Sequence, residues 1–62
     1  MLSIQETNLA AHDKRIQEAK ANNNEPAFIN EMEAARITLE SIKEADSETY
    51  EKYSYLMNEE FK

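Results

Sequence analysis

The chain has 62 residues, with no Cys, no Gly, one Pro and a formal net charge of −6. The lack of Cys excludes disulfides and thiolate metal sites, and the lack of Gly excludes glycine-rich phosphate loops. An acidic balance of this size works against direct contact with nucleic acid or an anionic membrane, since both are negatively charged, and favours a basic partner.

A chain rich in Ala, Glu, Lys, Gln, Leu and Met, and nearly free of breakers, predicts an all-α fold. Ser3-Ile4-Gln5-Glu6 has the form of a capping box, in which the Ser hydroxyl and the Glu carboxylate each satisfy a free backbone N–H. It predicts a first helix over about 4–21. Leu2, Leu9 and Ile16 fall seven apart on it, with Gln5, His12 and Ala19 between them. That is a thin apolar stripe on an alanine-rich helix. Asn22-Asn23-Asn24 then marks a turn. Asn22 or Asn23 can take the left-handed conformation that ends a helix. Asn24 can cap the next one, with Pro26 near its first position. A connection this short makes the two helices antiparallel neighbours.

The second helix, over about 26–45, carries the best pattern of the chain. Phe28, Met32, Ala35, Leu39 and Ile42 repeat at heptad-type spacing, and Ile29 widens the stripe. Beyond Ile42 two readings compete. One continues a single helix to about residue 60, with Asp46 and Thr49 in the apolar seam. The other takes Asp46-Ser47-Glu48 as a new N-cap and first turn. It starts a C-terminal helix over about 47–61 that packs Tyr50, Tyr53, Leu56, Met57 and Phe61. Either way the expectation is one domain, an antiparallel helical hairpin with a C-terminal helix, forming a small bundle.

Little in the chain offers catalysis. His12 is the only histidine and no ligand-spaced partner lies on its helix face, so it reads as a half-buried structural residue. Ser3, Ser41, Ser47 and Ser54 have no histidine within helical reach. The carboxylate pairs Glu40/Glu44 and Glu44/Glu48 read as a solvated face. The expectation is a non-enzyme without metal or cofactor.

Two features point to protein binding. Residues 25–62 hold ten acids and four bases and so carry the whole net charge, whereas residues 1–24 balance three against three. Carboxylates spaced along a helix can imitate phosphates and enter the basic groove of a nucleic-acid-binding protein. Four of the five aromatics fall in the last thirteen residues. Tyr and Met bring large contact area and tolerate partial exposure. The candidate partner-binding set is therefore Glu44, Asp46, Glu48, Glu51, Tyr50, Tyr53, Tyr55, Met57 and Phe61, with Tyr55 pointing away from the other tyrosines. The small stock of large apolar residues argues against a lone monomer. It predicts a homodimer held by Leu9, Ile16, Phe28, Met32, Leu39 and Ile42.

The sequence thus leads to a small acidic regulator or inhibitor that occludes a basic surface of a larger protein. The alternative is a homo-oligomeric assembly component. Usage of Asn, Lys, Glu and Ile suits an AT-rich bacterial or phage genome. With no basic-then-apolar leader and no apolar stretch near ~20 residues, the expected location is the cytoplasm, the host's if phage-encoded.

Overall fold

The computed structural model describes residues 4–61; Leu2 and the Ser3 end of the capping box lie outside them. Three α-helices and a 3₁₀ segment follow in order: α1 (Ile4–Ala21), α2 (Glu25–Ile42), α3 (Ser47–Tyr53) and the 3₁₀ turn (Ser54–Asn58). The described residues contain no strand. α1 and α2 pack as an antiparallel hairpin. The C-terminal segment returns along both, within a body of 34 × 21 × 14 Å.

The three asparagines between α1 and α2 each have a different job. Asn23 takes φ of 54°, the left-handed region that a short polar side chain tolerates. Its N–H reaches the Lys20 carbonyl at 3.1 Å, and the Asn24 N–H reaches the Ala19 carbonyl at 2.8 Å. These two bonds form a Schellman motif, which satisfies carbonyls left open at the end of α1. The Asn24 side chain then accepts from the Ala27 N–H at 3.3 Å and caps α2, with Pro26 in the first turn, where it forfeits no hydrogen bond.

The second break decides between the two readings of the C-terminal half. α2 stops at Ile42, three residues short of the expected end. Asp46 leaves the helix with φ of −143° and accepts from the Thr49 N–H at 3.2 Å, so it caps a new helix. The continuous helix is not formed. α3 also ends early, at Tyr53. The next turn tightens to 3₁₀ and residues 59–61 leave the helix. Tightening turns Leu56 fully inward and leaves Met57 exposed, so Met57 is not part of the packed stripe. Thr49 is buried, although the break moves it out of the α2 register.

The core consists of Leu9, Ile16 and Ala19 of α1, Phe28, Ala35, Leu39 and Ile42 of α2, and Leu56 of the C-terminal segment. Met32, Tyr50, Tyr53 and Phe61 pack around it, and Phe61 meets Phe28 at 5.4 Å between ring centroids. Five of the six residues expected to hold a homodimer are thus buried in the chain's own core, and Met32 packs against it. The returning C-terminal segment covers the stripe that a second copy was expected to cover. Ile29 does not widen that stripe. It lies on the outer side of α2, half exposed, as does Ile37.

Candidate functional site

The C-terminal segment lies along one flank of α1, and polar side chains hold it there. Lys52 Nζ donates to Glu6 Oε2 at 2.9 Å. The Tyr55 hydroxyl donates to Asp13 Oδ2 at 2.7 Å. Lys20 Nζ donates to Glu59 Oε1 at 2.9 Å. Glu6, Asp13 and Lys20 are seven residues apart, so they form one row on α1, beside the buried Leu9 and Ile16. Their partners Lys52, Tyr55 and Glu59 follow in the same direction along the chain. Donor faces acceptor at every step of this polar row.

The tyrosines occupy three different environments. Tyr50 and Tyr53 are partly buried against the core. Lys43 Nζ lies 5.7 Å from the centre of the Tyr50 ring and Lys52 Nζ lies 5.8 Å from that of Tyr53, so each ring has a cation from the chain over it. Tyr55 is 45% exposed, 6.2 Å from Tyr53 between centroids, and has no such cation among the described residues. Its hydroxyl is drawn against α1. Burial there, then the hydrogen bond to Asp13 and the charge of that carboxylate, push its pKa up to about 12.

The acids of the candidate set divide. Glu44, Glu48 and Glu51 are exposed, with no cation within 4 Å among the described residues. Asp46 is committed to capping α3 and is only partly accessible. Glu48 and Glu51 lie on the outer side of α3, while Tyr50 and Tyr53 turn inward. The structure therefore does not unite the acids and aromatics of the set into one patch. Tyr55 and Met57 remain at the surface, and Phe61 is spent on Phe28.

On the other side of α1, Glu31 of α2 bridges the hairpin. His12 Nδ1 lies 2.9 Å from Glu31 Oε1, and Arg15 Nε lies 3.1 Å from Oε2. A carboxylate can only accept, so the bond to Glu31 needs Nδ1 as its donor, although Arg15 Nη2 also approaches that nitrogen at 3.2 Å. Burial opposes ionisation of Glu31, but the hydrogen bonds from His12 and Arg15, and their charge, outweigh it and hold the carboxyl below its usual range. His12 is thereby a structural tie between two helices. Its partner comes from α2, nineteen residues away, where spacing within α1 gave no signal.

Among the described residues, no group of three or more His, Cys, Asp or Glu side chains could hold a metal ion. No helix among them is long and apolar enough to cross a membrane. The open groove lined by Lys20, Asn58, Glu59 and Glu60 contains the Lys20–Glu59 pair, which neutralises itself. Comparison with protein-family models, curated proteins and solved structures finds no match for the chain.

Sequence reasoning missed the polar row. Its signal was present: Glu6, Asp13 and Lys20 repeat at seven, beside the apolar repeat at Leu9 and Ile16. The matching Lys52, Tyr55 and Glu59 follow no regular period, because α3 gives way to 3₁₀ between them.

Proposed function

We propose that this chain is a small acidic protein-binding regulator that works by covering a basic surface of a larger partner. The observation that carries the reading is the division between inside and outside. The apolar stripes close on themselves within one chain, while Glu44, Glu48 and Glu51 stay exposed with no cation within 4 Å among the described residues, and Tyr55 and Met57 stay at the surface. Carboxylates placed this way raise the local concentration of a cationic partner and speed its encounter. An exposed aromatic then supplies contact area that slows release. The reading takes the protein as a non-enzyme of the cytoplasm, acting without metal or cofactor, and a phage origin would suit an inhibitor of host machinery.

The homo-oligomeric assembly component is less well supported. Its expected interface is buried, and the apolar surface left to it on α2 is Ile29 and Ile37, flanked by Glu33 and Glu40 of the same sign on any second copy.

The test starts from co-purification with the native partner and measures association against salt. Exposed charge pairs are screened over about 8–10 Å at physiological ionic strength, so association should slow steeply as salt rises. Reversing Glu48 and Glu51 to Lys should slow it about tenfold or more, with the fold intact by circular dichroism. An association rate unchanged by the double reversal refutes the reading.

A further inference from the structure

The three tyrosines of the C-terminal segment differ in one respect that bears on what binds there. Tyr50 and Tyr53 each hold a lysine of the chain within 6 Å of the ring centre. Tyr55 holds none among the described residues, yet it is the most exposed of the three and hydrogen-bonds a carboxylate. Asp13 Oδ2 accepts its hydroxyl hydrogen bond at 2.7 Å, while Glu59, the next acid along the row, is held by Lys20 at 2.9 Å. We propose that the outer face of Tyr55, beside Asp13, is a seat for an arginine side chain of the partner protein.

The chemistry favours arginine in particular. A guanidinium is planar and weakly hydrated, stacks on an aromatic face, and presents a fork of N–H donors to a neighbouring carboxylate. Both elements are in place. Asp13 accepts from Gln17 at Oδ1 over 3.3 Å and from Tyr55 at Oδ2 over 2.7 Å, so each oxygen keeps acceptor capacity. The Tyr55 hydrogen bond also fixes the ring before anything binds, which lowers the ordering cost of association. Lys52 over Tyr53, bound to Glu6 at 2.9 Å, shows the same ring-plus-carboxylate arrangement already filled one step along the row. The seat rests on the partner-binding reading above and narrows it, from a basic surface in general to one arginine at one ring.

The probe is a hexa-arginine peptide, titrated into the isotope-labelled full chain and followed by nuclear magnetic resonance. The ring signals of Tyr55 should shift saturably. Tyr55→Leu keeps apolar bulk but removes the π face, and should bind about two- to fivefold more weakly. Tyr55→Phe keeps the face and should stay within about twofold of the parent. Hexa-arginine that leaves the Tyr55 ring signals of the unsubstituted protein unmoved, or that binds Tyr55→Leu as tightly as the parent, overturns the seat. The ring shift is read without any substitution, so it stands even if a variant folds poorly. Failure of the seat is separable from failure of the broader reading, because the Glu48 and Glu51 reversal acts on the outer side of α3 and is read on the native partner.

Discussion

The α1–α2 hairpin and the C-terminal segment are attached to the fold by different forces. The hairpin buries two apolar stripes against each other, with seven of the eight core residues between its two helices. The segment contributes the buried Leu56 and Thr49, with Tyr50, Tyr53 and Phe61 only partly buried against the core, and the three-step polar row along α1. Apolar burial excludes water and tolerates no partial opening, whereas exposed polar ties exchange readily with solvent. The contrast teaches where a chain this small can place a binding surface: on the part that its core needs least.

Core truncation should separate the two regions most strongly. Leu39→Ala removes a fully buried side chain from the hairpin and should cost about 2–5 kcal/mol, enough to unfold a marginal domain outright in thermal melts. Leu56→Ala removes an equally buried one, but its damage should concentrate in residues 54–61, with α1 and α2 still helical by circular dichroism. A global collapse equal to that of Leu39→Ala would erase the distinction.

Asp46 comes next in size. Its side chain caps α3, and Asp46→Ala should cost about 0.5–2 kcal/mol, measured by urea denaturation. The loss should appear as fraying of α3 with the hairpin retained.

Titration gives the smallest effects and the cleanest division. Glu31 ties α1 to α2 and its pKa is lowered in the fold, so its contribution is present above its unfolded value of 4.5 and is lost as pH falls through the folded value. The melting temperatures of the parent and of Glu31→Gln should therefore converge below about pH 4.5. Tyr55 ties α1 to the C-terminal segment and its pKa is raised from 10.0 to about 12. Its contribution is complete below pH 10 and is lost as pH rises towards 12. Tyr55→Phe should lack this alkaline loss, and one of the three tyrosines should ionise late in an absorbance titration. The Glu31 tie is thus lost in acid and the phenol of the Tyr55 tie in alkali.

Much of this fold could be read from the residues. Asn22-Asn23-Asn24 and Pro26 placed the first turn, and the heptad-type spacing of Phe28, Ala35, Leu39 and Ile42 named the buried face of α2. Asp46 as a cap was legible, but whether the cap would prevail over a continuing helix was not, because helix propensity around Lys43-Glu44-Ala45 is good in either case. The 3₁₀ turn was not legible, since Ser54–Asn58 has no breaker, and it leaves Met57 outside the packed stripe while Leu56 packs inward as its spacing implied. The destination of the apolar stripe was misjudged for a physical reason. Counting large apolar residues made the monomer look incomplete, yet Leu56, Phe61 and the small Ala19 and Ala35 close the core at short distance. Of the candidate binding set, the exposure of Tyr55 followed from helical phase. Its hydrogen bond to Asp13, 42 residues away, had no sequence signal.

Native-state hydrogen exchange of the full chain, followed residue by residue at increasing low concentrations of urea, tests the division between the two regions most directly. Amides of Leu9, Ile16, Ala35 and Leu39 should exchange only through global unfolding, and share its free energy and its dependence on urea. Amides of residues 55–58 should exchange through a smaller opening, at lower free energy and with little dependence on urea. If both regions exchange at one common free energy with one common urea slope, the C-terminal segment is an integral part of a single cooperative core, and a closed hairpin carrying a polar-tied binding segment is contradicted.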